Sequence, residues 1–210
     1  MKEKGILTVI SGFSGAGKGT LVRKLMETYD NYSLSISMTT RSPREGEIDK
    51  VHYFFIDRPQ FEKNIEDGKM LEYAEYVGNY YGTPREYVEK QLAAGKDVIL
   101  EIEYMGAMQI KKKMPEALLL FVTPPSAEEL ERRLRGRGTE TEEVIAKRMK
   151  RAIEEADIVD KYEYILLNDD LDTCVRETHE IIQNVKYSVE RNADFIKEIQ
   201  TELSQIAKGE

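Results

Sequence analysis

The sequence predicts an α/β fold, a parallel sheet core flanked by helices and interrupted by two insertions, and three observations predict it. GILTVI (5–10) is a short β-rich run leading into a glycine loop, after which LVRKLMETY places Leu21, Leu25 and Met26 at helical spacing. DVILEIE (97–103) and ALLLFVT (117–123) are nearly unbroken apolar runs, the pattern of parallel strands covered on both faces. YEYILLN (162–168) adds another strand after further helical segments.

Taken in order, strand, loop and helix fill 5–29, and 35–94 then changes character, being rich in Thr, Tyr, Arg and Glu with strand-like VHYFFI and MLEYAEYV. GNYYGTP punctuates a turn before a helix. That segment reads as an inserted substrate-binding lobe. A helix is expected over 106–113, and 126–155 is a second insertion, helical and highly charged, that reads as a lid. The core is thus expected from 1–34, 95–125 and 156–187, with an extra C-terminal helix over 188–207.

With 210 residues, 40% of them hydrophobic, one domain can bury a core without staples. Cys174 is the sole cysteine, which excludes an internal disulfide and fits a reducing compartment, so a cytoplasmic location is expected. The first apolar run is too brief for a signal-peptide core or a membrane span. A net charge of −8 argues against a nonspecific nucleic-acid binder, although a local basic patch can still meet a small anion. His52 and His179 are isolated and receive no role, Cys174 has no partner for zinc or nucleophilic chemistry, and Met105, Met108 and Met114 read as helix packing or exposed apolar contacts.

The loop SGFSGAGKGT carries Gly12, Ser14, Gly15, Ala16, Gly17 and Lys18, the spacing of a phosphate-binding loop, except that Gly19 stands where a hydroxyl is usual and Thr20 follows one place late. In such a loop the glycines let backbone N–H groups turn inward, the helix presents its positive end, and Lys18 reaches the β- and γ-phosphates. The GKGT form resembles nucleoside monophosphate kinases such as adenylate kinase. Glu101, ending an apolar strand beside the loop, is the carboxylate placed to hold magnesium directly or through water, with Thr20 as the hydroxyl.

From 132 to 151 there are eight basic and three acidic residues, among them Arg133, Arg137, Arg148 and Arg151, in a chain that is acidic overall. Guanidinium forks suit the charge that spreads over the oxygens of a transferring phosphoryl group, while the ordinary reading is a charged helix face in water. Arg41 and Arg44 in SMTTRSPREGE suit a second phosphate clamp away from the first. Tyr53, Tyr81 and Thr83 offer hydroxyls, and Glu72 and Glu103 offer acceptors for the donor edge of a base; guanine has adjacent N–H donors and adenine does not.

SGFSGAGKGT, SMTTRSPREGE, EYVGNYYGTP, LEIEYMGA, PPSAEELERRLRGRGTETEEVIAKR and LNDDLD, in that order, resemble the guanylate kinase family from about residue 6 to 187. The resemblance implies transfer of the γ-phosphate of ATP to GMP, with magnesium required. Carried over by position, it puts Ser37, Glu72 and Thr83 around guanine with Glu103 close by, and Arg41, Arg44, Tyr53 and Tyr81 on the GMP phosphate. Lys18 and the loop amides from Gly12 to Thr20 would hold the ATP phosphates, Arg133, Arg137 and Arg148 would close from the lid, and Asn168 and Asp169 would lie on the adenine side. Phe13, Glu103 and Met105 depart from the family's common Pro, Asp and Gln.

Two other readings stay open, a non-catalytic binding module on this scaffold and a phosphate-loop kinase of another small acceptor. Lys18 and the lid arginines argue against the first, and Glu72 and Thr83 against the second. Beyond Tyr187 the resemblance fades while Ile182, Val185, Val189, Ile196, Ile199, Leu203 and Ile206 keep a three-and-four spacing broken at Asn192. This seam either packs on the chain's own core or pairs with a second copy in a homodimer.

Overall fold

A computed structural model describes residues 4–136 and 141–208. Its strands in chain order are β1 (Leu7–Gly12), β2 (Tyr32–Leu34), β3 (Met38–Thr39), β4 (Phe54–Phe55), β5 (Met70–Tyr76), β6 (Asn79–Pro84), β7 (Asp97–Glu101), β8 (Leu118–Thr123) and β9 (Tyr164–Leu167). The helices are α1 (Lys18–Thr28), α2 (Arg58–Glu66), α3 (Arg85–Ala93), α4 (Tyr104–Lys113), α5 (Ala127–Arg135), α6 (Glu142–Ala156), α7 (Leu171–Val185) and α8 (Ala193–Lys208).

The central sheet is all-parallel in the order β2-β7-β1-β8-β9. Side chains alternate across a strand, so Ile6 and Ile10 enter a core closed by Leu21 and Leu25 of α1 and Val175 and Ile182 of α7. Leu7 and Val9 enter the opposite core, closed by Val88 and Leu92 of α3 and Ala107 and Ile110 of α4. Both faces are covered, which is why β1, β7 and β8 read as unbroken apolar runs. Chain connections leave β1 for β2 and β7 on one side and for β8 and β9 on the other. The crevice at the carboxyl ends of β1, β7 and β8 is therefore a switch point, where open α/β sheets bind their ligands.

The first insertion forms a second sheet in the order β4-β3-β6-β5, with α2 beside it. Of GNYYGTP only Gly78 lies in the turn, which it makes with Val77, both at positive φ (73° and 49°), and the other six residues form strand β6. Gly82 serves close strand approach instead: a Cβ there would lie 2.6 Å from Glu72 O. VHYFFI contributes only the two residues of β4. Helix α4 fastens the lobe to the core, since Gln109 exchanges hydrogen bonds with Tyr73 N (3.2 Å) and O (3.0 Å) like a neighbouring strand, and Lys113 donates to Met70 O.

The second insertion supplies α5 and α6, whose Leu130, Leu134, Ile145 and Ala152 form a small core of their own with Phe13 and Met149 packed on it. Ser126 caps α5 by accepting from Glu129 N.

The expected seam from Ile182 to Ile206 is not one continuous helix. Ile182 is fully buried in the core at the end of α7, and α8 begins only at Ala193. Asn192, the residue that interrupts the spacing, closes the intervening turn by donating to Lys186 O (2.9 Å) and Ser188 O (2.8 Å). Arg191 adds bonds to Lys4 O and Gly5 O.

A buried acid ties both ends of the chain to the sheet. Asp97, with no exposed surface, accepts from Ile6 N (2.8 Å), Asn31 Nδ2 (2.7 Å), Gln183 Nε2 (2.9 Å) and Lys186 Nζ (2.9 Å). Beside it His179 stacks on Tyr29 at 3.7 Å between ring centres and bonds the Tyr32 hydroxyl, a structural use for that histidine. Removing the carboxylate strands four donors, so Asp97→Ala should cost about 3 kcal/mol of unfolding free energy. Urea titration followed by circular dichroism checks this, and a loss below about 1 kcal/mol would show the network to be dispensable.

Candidate active site

The sequence of the loop after β1 dictates its shape. Gly12, Gly15 and Gly17 adopt φ of 151°, 103° and 91°, and α1 starts directly at Lys18. A Cβ on Gly12 would lie 2.2 Å from Val122 O, on Gly15 2.8 Å from Leu134 Cδ2, and on Gly17 2.5 Å from Asn168 Nδ2. Asn168, buried after β9, donates to Ala16 O at 2.7 Å and so braces the loop from beneath. Asp169 beside it is exposed.

Lys18 bends back over the loop and donates to Gly12 O (2.6 Å) and Phe13 O (3.0 Å). Burial lowers its pKa, and the acids Glu101, Glu155 and Glu103 pull it back toward the charged form. Ser14, Gly15, Gly17, Gly19 and Thr20 line the mouth above, together with Arg23 and Glu101. Glu101 faces the start of α1, where a Cβ on Gly19 would be 3.6 Å from both carboxylate oxygens. The cleft walls strip enough water from this carboxylate to raise its pKa, against the pull of Lys18.

Two lid arginines reach the loop. Arg148 donates to Ser14 Oγ at 2.7 Å, and Arg133 is held by Glu129 at 2.6 Å with its NH1 3.5 Å from Ala16 O. Arg137 lies outside the described residues. Both arginines therefore stand over the loop that the glycines shape.

A second cleft opens between the lobe and the core, lined by Ser37, Tyr53, Glu72, Tyr81, Glu103 and Arg151 among others. Glu72 on β5 pairs in register with Thr83 on β6, and its Oε1 accepts from Thr83 Oγ1 at 2.7 Å. Burial raises the Glu72 pKa, with Thr83 and Lys113 opposing. Its other oxygen lies so near α4 that a Cβ on Gly106 would be 2.9 Å away, which explains glycine at that position. Across the cleft Arg41 sits 5.5 Å from the ring centre of Tyr53, and Tyr53 is 6.1 Å from Tyr81. Glu47 organises this corner by accepting from Arg41 (2.8 Å) and from Arg44 N (2.7 Å), which holds its own pKa down to about 2. Arg44 thus joins the corner through its backbone.

The two clefts share a wall, because Glu101, Ile102 and Glu103 line both the cleft beside the lobe and the chamber beside Lys18. That chamber also contains Ser11, Tyr104, Glu155 and Tyr162, none of them in the sequence-based set. Burial pushes the Tyr162 hydroxyl up to about 12 and also raises Glu155. Ser11 and Tyr104 stand inside the quoted stretches SGFSGAGKGT and LEIEYMGA without having been singled out, whereas Glu155 and Tyr162 lie in segments with no such signal. Arg23, one helical turn past Lys18, and Glu47, inside the arginine-bearing loop, had proximity as their only signal.

Sequence and fold both have relatives. The family model for guanylate kinase matches residues 4–185. A guanylate kinase of Lactococcus lactis subsp. lactis is 50% identical over 191 residues, covering 91% of this chain and 93% of that one. One from Caldanaerobacter subterraneus subsp. tengcongensis is 48% identical over 202 residues, covering 96% and 98%. The crystal structure of guanylate kinase from Anaplasma phagocytophilum superimposes with a TM-score of 0.68 at 30% identity, covering 89% of this chain and 88% of that one. A glycine loop under two lid arginines, sharing a wall with a cleft built around a buried acid, is thus found in a chain that belongs to the guanylate kinase family.

Proposed function

We infer that this chain carries out the reaction of its family, ATP-dependent phosphorylation of GMP to GDP, with the loop holding ATP and the inserted lobe holding GMP. The observation that carries the reading is the shared wall: an acceptor cleft with a buried carboxylate at its base runs directly into the phosphate loop. In this reading Glu72 accepts from the adjacent N–H donors of guanine, with Ser37, Thr83 and Glu103 around the base. Arg41, Arg44, Tyr53 and Tyr81 take the GMP phosphate. Lys18 and the amides of the loop from Gly12 to Thr20 take the ATP phosphates, and Asn168 and Asp169 border its base.

No general base is needed, because the acceptor oxygen belongs to an ionised phosphate. The residues act by alignment and charge: the loop and the arginine corner fix the two ends, while Arg133, Arg137 and Arg148 meet charge that develops between them. Closure of lid and lobe keeps water from the transferring group.

Family membership implies a divalent metal. Its chemistry fits Glu101, an exposed carboxylate at the end of β7 that faces the start of α1, with Thr20 at the same mouth. Among the described residues no group of three or more His, Cys, Asp or Glu side chains could hold a metal alone, so phosphates and water would complete the shell, as suits Mg2+. When bound, Mg2+ supplies charge neutralisation at the β- and γ-phosphates.

The chain contains no described helix long and apolar enough to cross a membrane. A homodimer is the reading we favour for α8, whose Phe195, Ile199, Leu203 and Ile206 are 43%, 39%, 60% and 72% exposed along one helical face. A stripe of that spacing is self-complementary, and a second copy of α8 would cover it.

ADP release with GMP, AMP, UMP and dTMP offered in turn tests the reaction, and turnover with an acceptor other than GMP as the best substrate overturns it. Glu72→Gln should lower the GMP-over-AMP ratio of kcat/KM roughly tenfold or more, since an amide offers one acceptor and one clashing donor. Because burial raises its pKa, Glu72 should protonate above the ordinary carboxylate range, so KM for GMP should climb on acidification in the wild type and not in Glu72→Gln. Arg148→Ala should reduce kcat by about 10²-fold with smaller changes in either KM; an effect confined to the KM for ATP would contradict it. Light scattering at micromolar concentration should give a dimer for the full chain and an active monomer after truncation following Asn192, which retains the turn that staples the amino terminus.

A further inference from the structure

Arg151 belongs to lid helix α6 yet forms part of the wall of the acceptor cleft. Its NH2 donates to Glu103 Oε2 at 2.5 Å and its Nε to Glu155 Oε1 at 3.1 Å. The two acids differ in freedom: the Glu155 side chain is 16% exposed and that of Glu103 is 71% exposed. Glu155 lies one turn along the same helix, so it anchors the guanidinium on the lid side, and Glu103 is the acid that becomes ordered.

Charge points the same way. Glu103 and Glu155 repel one another, and the second Glu155 oxygen is buried without a hydrogen-bond partner. Left alone, these acids would oppose a nucleotide dianion entering between them and Lys18. Arg151 lies between the acids and neutralises part of that field.

We propose that Arg151 is a positioning residue for the acceptor nucleotide, a lid side chain that holds Glu103 at the guanine side of the cleft and so ties lid placement to GMP binding. Only one Glu103 oxygen is engaged, which leaves the other for a donor on the base. The bond also uses the length of Glu103, whose carboxylate reaches one methylene further than an aspartate would. The role rests on the reading of this cleft as the GMP site. Since exposed ion pairs are weak, the effect should be modest, about three- to fivefold.

Steady-state kinetics with both substrates varied provide the test, on the wild type, Arg151→Ala, Arg151→Lys, Glu103→Gln and the Arg151→Ala/Glu103→Gln double variant. Arg151→Ala should raise KM for GMP about three- to fivefold and move KM for ATP less than about twofold. Arg151→Lys should recover much of the loss. In the Glu103→Gln background the Arg151→Ala change should add almost nothing, because the partner through which it acts is already gone. An unmoved KM for GMP, an equal rise for ATP, or a full effect persisting without the Glu103 carboxylate would overturn the role. A wild type inactive with GMP would refute the acceptor reading itself, whereas an active wild type with an unmoved Arg151→Ala refutes Arg151 alone.

Discussion

The phosphate loop turns at three glycines held at positive φ and closely approached by three different parts of the chain, and the rest of the molecule is arranged around that constraint. Gly12 is pressed against β8, Gly15 against Leu134 of the lid and Gly17 against Asn168 after β9. Backbone excludes a Cβ at Gly12, whereas at Gly15 and Gly17 the neighbours are side-chain ends and the positive φ is what disfavours any other residue. The loop is thereby held between the sheet, the lid and the residue after the last strand. Lys18 is bonded to two carbonyls of the same loop.

Around this fixed centre the charges are paired internally and the pairs are of a kind that can be exchanged. Arg41 is held by Glu47, Arg133 by Glu129 and Arg151 by Glu103 and Glu155. The Arg151–Glu103 pair is exposed and contributes little stability, whereas the side chains of the Arg41–Glu47 and Arg133–Glu129 pairs are largely covered and hold their guanidinium groups more firmly. Buried acids behave differently. Glu72 is committed to Thr83 and pressed by α4, and its desolvated carboxylate gains most from a ligand that supplies N–H donors.

Helix α4 links the two sites mechanically. It follows Glu101 and Glu103 in the chain, places Gly106 against Glu72, and binds the edge of β5 through Gln109. A displacement of the lobe on GMP binding would therefore be felt at the acids that face the phosphate loop. The lid is joined to the same acids by Arg151.

What the sequence determined by itself was whatever local periodicity and short motifs encode. The parallel strands showed in unbroken apolar runs, because two covered faces remove alternation, and the loop showed in glycines that only positive φ explains. The pairing of Glu72 with Thr83 lay in residues already singled out, although their contact is a matter of strand register. Tertiary structure alone decided the rest. GNYYGTP reads as a turn by composition, yet only its first glycine, Gly78, turns the chain, and Gly82 is demanded by a neighbouring strand. The heptad spacing from Ile182 to Ile206 crosses a break, because Ile182 is claimed by the core and Asn192 closes a turn. Glu155, Tyr162 and Arg151 join the site from segments whose spacing says only charged helix or strand end. Periodicity records which face a residue turns inward, whereas the identity of what it meets there depends on contacts between segments distant in the chain.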